Sequence, residues 1–152
     1  MKRILITLVS IITLALASQA QDALFKKYAD QEGVSVVNIS KKMLSMMPNL
    51  GNVDKRVTNL ASKLDGIRII NTTNKKVAEK MRKDALSYVG HNGYEEILSH
   101  KEGGQAAYIL QRELNKGNYE YLVISLMPSQ VAIVDITGRL TLEEIQSLSD
   151  NL

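Results

Sequence analysis

The sequence predicts one α+β domain: an N-terminal alternation of helices and short strands, βαβ-like, then a four-strand antiparallel meander and a C-terminal helix. A two-layer arrangement follows, with the helices on one face of the sheet. Three observations predict it. From Asp22 to Val89, apolar residues recur at helical spacing and are interrupted twice by short β-branched runs. From Tyr94 onward, four strand-like segments are separated by turns bearing glycine or proline. The chain then closes on a helix with a strong start signal, Thr141-Leu142-Glu143-Glu144.

Taken in order, Leu24, Phe25 and Tyr28 fall on one face of a short opening helix that Gly33 ends. Val34 to Ile39 (VSVVNI) is a strand by its β-branched content. Ser40 caps a following helix, with Ile39 and Leu44 placed as a hydrophobic staple. Pro48 to Asn52 is turn chemistry, and Asn52 caps a second helix with Val53, Val57, Leu60, Ala61 and Leu64 on one face, stopped by Asp65-Gly66. Ile67 to Ile70 is the second strand, and it runs in a right-handed crossover if parallel to the first. Asn71 to Asn74 opens a third helix that turns Val77, Ala78, Met81, Ala85, Tyr88 and Val89 inward.

The strands of the meander are Glu95–Lys101, Gln105–Leu114, Tyr119–Met127 and Val131–Ile136. Gly103-Gly104 and Gly117 supply the left-handed turn positions between them. Tyr119–Met127 is apolar on both faces, so it is expected as an interior strand covered on both sides. In the last strand, Val131, Ile133 and Asp135 are expected on the less buried face; the alternative, Asp135 on a buried face, would require partners for its carboxylate. In the closing helix, Thr141 and Glu144 satisfy each other's first-turn groups, Leu140 and Ile145 form the staple, and Leu142, Ile145 and Leu148 face inward.

Met1-Lys2-Arg3, the uncharged run Ile4 to Ala17 and Ser18-Gln19-Ala20 have the three parts of a secretory signal. The apolar run is shorter than the roughly 20 residues that span a bilayer. Residues 1–20 are therefore expected as a signal peptide cut after Ala20, leaving residues 21–152 as one exported domain, periplasmic or extracellular. The chain has no cysteine, which excludes disulfides, thiolate metal sites, a thiol nucleophile and a cysteine lipid anchor. Taking Lys2 and Arg3 from 19 basic residues leaves 17 against 16 acidic ones, a formal +1. A near-neutral exported domain is not expected to bind nucleic acid, which requires a strong basic face.

The blocks Leu24–Met47 (LFKKYADQEGVSVVNISKKMLSMM), Leu64–Thr72 (LDGIRIINT) and Tyr119–Leu148 (YEYLVISLMPSQVAIVDITGRLTLEEIQSL) occur in an order that resembles the DUF4252 family. The resemblance covers nearly the whole exported chain. It implies a small exported cell-envelope protein of the kind typical of Bacteroidetes, an α+β fold and no assigned activity. Many relatives appear as lipoproteins; this chain lacks the cysteine for that form.

No nucleophile-elbow G-x-S-x-G, no S-x-x-K of a penicillin-recognising enzyme and no phosphate-loop motif occurs in the chain. Gly90-His91-Asn92-Gly93 is expected as a helix end and turn rather than a nucleic-acid clamp. His91 with Glu95 or Glu96, and His100 with Glu102, do not supply the convergent ligands a zinc site needs. Glu95-Glu96 point apart as sequence neighbours, and Glu143-Glu144 is explained by capping. Met43, Met46 and Met47 are expected in the core. Lys75, Lys76, Lys80, Arg82 and Lys83 make a cationic helix face, a solvated surface or a contact for anionic lipid or an acidic partner.

These observations assign no catalytic, cofactor or metal residue. The expected function is a non-catalytic binding or adaptor module acting through protein–protein contact, of undetermined oligomeric state. Two alternatives stand beside it. One is an envelope hydrolase, or another enzyme with a spatially assembled site, using His91 or His100. The other is a protein that makes weak membrane-surface contact through Lys75, Lys76, Lys80, Arg82 and Lys83.

Overall fold

The computed structural model describes residues 22–46 and 55–149. The expected export segment and its expected cut, Met47, the expected Pro48–Asn52 turn with its Asn52 cap, Val53, and the side chains of Val57 and Leu148 lie outside the described residues.

Helix α1 (22–29) leads into strand β1 (Val34–Ser40), α2 (Lys41–Met46), α3 (Lys55–Lys63), β2 (Leu64–Thr72) and α4 (Lys75–Leu86). Strands β3 (Glu95–Glu102), β4 (Gln105–Asn115), β5 (Asn118–Met127) and β6 (Gln130–Gly138) follow, and α5 (Leu142–Ser149) closes the chain. All six strands form one sheet in the order β1-β2-β6-β5-β4-β3, and every neighbouring pair is antiparallel.

The α+β class and the four later strands stand, but the arrangement differs from the expected one in three ways. First, β1 and β2 pair antiparallel, with Val37 opposite Ile69, so there is no parallel crossover; both join the meander through β2–β6 to make six strands rather than four. Second, β2 begins at Leu64, immediately after α3. Asp65-Gly66 does not stop a helix before a loop; the backbone turns into the sheet there, and a register shift between Leu64 and Gly66 absorbs the change. Third, helices cover both faces. Leu24, Phe25 and Tyr28 of α1 and Val77, Ala78, Met81 and Ala85 of α4 pack on one face, with Ile70, Tyr108, Ile124 and Ile133 beneath them. Leu44 of α2, Leu60 of α3 and Ile145 of α5 pack on the other, over Ile39, Ile67, Ile136 and Tyr121. A strand apolar on both sides, such as β5, requires two such layers, and Tyr121, Leu122 and Ile124 in it are fully buried.

Local chemistry sets the element ends. The Asn74 side chain accepts from the backbone N–H of Lys76 and Val77 at the start of α4, the Met43 N–H donates to Ser40 Oγ at 3.3 Å, and Ile39 and Leu44 meet in one cluster as the staple requires. The closing box forms as spaced: Thr141 N–H donates to Glu144 Oε2 at 3.0 Å, and Glu144 N–H to Thr141 Oγ1 at 3.4 Å. Gly138 lies where β6 crosses the α3–β2 junction, and a Cβ there would collide with the Lys63 carbonyl and the Leu64 Cα.

Candidate functional site

The α4 face of the sheet is divided along the strands. At one end the central rows are largely apolar, with Val36, Ile70, Ile133, Ile124 and Tyr108 as register partners. At the other, charged residues enter the interior. Arg68 on β2 stands opposite Asp135 on β6, and Arg112 on β4 stands opposite Glu120 on β5. Arg112, Glu120 and Asp135 are buried. The expectation that Val131, Ile133 and Asp135 line the less buried face is therefore corrected: the first two are fully buried and Asp135 is 2% exposed. A carboxylate tolerates that position because a guanidinium sits across the ladder from it.

Two centres result. In the enclosed one, Arg112 Nε donates to Glu120 Oε2 at 2.8 Å and its Nη2 donates to the same oxygen. Tyr94 donates its hydroxyl to that oxygen at 3.0 Å, and the Arg112 guanidinium lies 4.6 Å from the Tyr94 ring centroid. Tyr88 closes the centre, its ring 6.0 Å from that of Tyr94 in an edge-on contact. Burial, and then the nearby Asp135 carboxylate, raise the Glu120 carboxyl above its ordinary value against the pull of Arg112 and Tyr94. Burial and the Glu120 charge likewise push the Tyr94 hydroxyl well above the phenol range.

The second centre is open to water at Asp22 and Arg68, while Asp135 is buried. Arg68 donates from Nε to Asp135 Oδ2 at 2.8 Å and from Nη1 to Asp22 Oδ1 at 2.7 Å. Its guanidinium lies 4.6 Å from the Phe25 ring centroid, so α1 is held to the sheet by its first residue and its second turn together. Burial works against the Arg68 charge, but Asp22 and Asp135 outweigh it and the group is held above its ordinary value. A groove of about 390 Å³ opens beside this pair, lined also by Asn38, Ser40, Gly66 and Thr137. The groove's charges sum to −1, and its hydroxyls are engaged locally: Ser40 Oγ accepts from Met43 N–H, and Thr137 donates to the Gly66 carbonyl. No imidazole reaches either centre. His91 lies in the turn after α4, with Nδ1 2.9 Å from the Val89 carbonyl. His100 is on the exposed edge strand, 3.5 Å from Glu102. The groove therefore lacks an activated nucleophile, and among the described residues no cluster of three or more His, Asp or Glu could hold a metal ion.

The predicted cationic face forms in part. Lys75, Lys76, Lys80 and Lys83 are exposed along α4, but Arg82 turns back and donates to the Met127 carbonyl at 2.5 Å. Lys26 and Lys27 of α1 extend the basic surface, although Lys27 is engaged at 2.6 Å by Asp84, which also accepts from Tyr28 at 2.7 Å. Among the described residues no helix is long and apolar enough to cross a membrane.

The other face carries a different feature. Val37, Ile69, Val134, Val123, Ile109 and Leu98 are register partners in a single row across all six strands. The helices of this face cover the neighbouring row that begins at Ile39 and also Ile109 and Val123 of this one, so that exposure is confined to the row's two ends, Val37 and Leu98, each 41% exposed. Beyond lies a row of small or polar residues, Ser35, Asn71, Ala132, Ser125 and Ala107. Met43 and Met46 are more than half exposed on α2, so the expectation of core methionines is corrected for both. Only Leu44 of that helix turns inward, because a six-residue helix has one buried position to offer.

Sequence reasoning missed the two ionic centres. The usable signal was Glu120, a charge inside a strand otherwise apolar on both faces, which has to be buried with a partner.

Comparison with curated proteins and with solved structures finds no significant match to either. The sequence profile of DUF4252, a domain of unknown function, matches residues 28–148, from α1 through α5. The chain belongs to the DUF4252 family.

Proposed function

We propose that this chain is an exported, non-catalytic binding module of the cell envelope that acts through protein–protein contact. The observation that carries the reading is the half-covered apolar row from Val37 to Leu98, together with exposed Met43, Met46 and Met127 on the same side of the molecule. Large apolar side chains left exposed at the two ends of one row and on the neighbouring helix are candidate contact surface. Export is the reading of residues 1–20. The buried charges support the same view, because they are bound to one another and reach neither histidine.

The test is complementation of a deletion strain. Leu98→Glu combined with Met127→Glu places charge on the band at exposed positions and is expected to abolish rescue while circular dichroism stays unchanged. His91→Ala with His100→Ala is expected to rescue fully. The reverse pattern would establish a histidine-dependent enzyme instead.

A second reading is favoured by exposed Lys75, Lys76, Lys80 and Lys83: weak attachment to an anionic membrane surface. Flotation with phosphatidylglycerol vesicles at low and high salt tests it. Salt-sensitive binding lost in Lys76→Gln/Lys80→Gln/Lys83→Gln supports it, and no binding at low salt removes it.

A further inference from the structure

The two edges of the sheet are built differently. Strand β3 carries Glu95, Glu96, Lys101 and Glu102 and has a register shift between Glu96 and Leu98. Charge and a bulge are the devices by which natural edges resist pairing with another chain. Strand β1 (VSVVNIS) has neither. It carries no charge and no proline, and its pairing with β2 is unbroken from Val34 to Ser40. Its outer edge has no ladder partner among the described residues, and Ser35, Val37 and Asn38 are exposed.

We infer that β1 pairs antiparallel with β1 of a second copy, about a two-fold axis at Val37, joining the two sheets into one of twelve strands. The inference rests on the contact-module reading and names its first partner. Three features single out a second copy as the occupant. The seven-residue strand is centred on Val37, so self-pairing sets Val37 against Val37, Val36 against Asn38, Ser35 against Ile39 and Val34 against Ser40. Each pair keeps its residues on matching sheet faces, and the apolar row of one copy continues into that of the other. No like charges meet across the axis, which is the usual obstacle to an isologous strand pair. Charge complementarity then appears at both ends. Because Ser40 lies beside the partner's Val34, the exposed Lys42 at the start of α2 comes alongside the partner's Glu32, and the two-fold repeats the pair. The same geometry carries Met43 and Met46 toward the Ser35–Asn71 end of the partner's face, where small side chains leave room for their exposed side chains.

Sedimentation equilibrium of the exported chain over a concentration series tests the inference. A monomer–dimer equilibrium is expected. Val37→Lys, which sets two ammonium groups against each other at the axis, weakens it about tenfold or more with unchanged circular dichroism. Lys42→Glu and Glu32→Lys each weaken it, and the combined Lys42→Glu/Glu32→Lys variant restores it. Ser99→Lys, exposed on the opposite edge strand, leaves it unaltered. A monomer at every concentration, a dimer indifferent to Val37→Lys, or failure of the charge swap to restore association overturns the inference. If the chain is monomeric but Leu98→Glu/Met127→Glu still abolishes rescue, self-pairing fails and the contact-module reading stands. If the chain dimerises as expected but that variant rescues fully, the reverse holds.

Discussion

The two ends of the α4 face share one sheet and one layer of helices, yet they are held together by different physics. At the apolar end, Ile70, Ile124, Ile133 and Met81 are fully buried and contribute in proportion to the surface they remove from water. At the ionic end, Arg112 and Glu120 contribute little net stability over a well-packed apolar pair, because desolvation offsets their attraction. They do make the fold intolerant of losing either one alone. The difference separates stability from specificity: the apolar end drives folding, while the ionic end fixes the register of β4 on β5 and of β2 on β6.

The contrast can be broken experimentally, the largest effect first. Arg112→Met leaves the Glu120 carboxylate buried without its guanidinium and is expected to cost about 3–5 kcal/mol in urea unfolding. Met81→Ala opens a cavity at the apolar end and is expected to cost about 3 kcal/mol, independent of pH. Arg68→Met is expected to cost about 2 kcal/mol, less than Arg112→Met, because Arg68 and Asp22 are part exposed, although Asp135 itself is buried.

The smallest effects are pH-dependent and of opposite sign. Burial raises the Asp84 carboxyl, but hydrogen bonds from Lys27 and Tyr28 outweigh it and hold it below its ordinary 3.8. Its contribution is therefore present above pH 3.8 and lost as pH falls through the depressed value. Asp84→Asn is expected to destabilise by under about 1 kcal/mol at neutral pH, with the difference from wild type vanishing in acid. Burial and Asp135 raise Glu120 above its ordinary 4.5. Its contribution is therefore fullest below pH 4.5 and declines as pH rises through the raised value. Stability of wild type relative to Glu120→Gln should fall over that interval. Unfolding midpoints across a pH series check both slopes.

The same division explains what was legible in the sequence. Strands β3 to β5 were legible because their turns depend on Gly103, Gly104 and Gly117, all with positive φ, and β6 because Pro128-Ser129 marks the turn before it. The caps at Ser40, Asn74 and Thr141 were legible because capping is local. The antiparallel β1–β2 pairing was not, since it depends on how the chain between them folds back. Nor was the burial of Asp135, because the guanidinium that permits it belongs to Arg68, 67 residues away in the chain. Leu64 fits the helical face of α3 and the first position of β2 equally well, and only the sheet decides between them. The charged stretch on α4 was legible as a surface, but not the backward turn of Arg82 onto the Met127 carbonyl.

The central claim is that the buried charges build the fold while contact surfaces carry the function. Rescue of the deletion strain by Tyr94→Phe/Arg112→Met/Glu120→Leu, which leaves no orphaned hydroxyl, measured beside the variant's unfolding midpoint, checks it. The account predicts a midpoint at or near that of the wild type and full rescue. A variant equally stable but unable to rescue would place the function in the buried ion pair and contradict it.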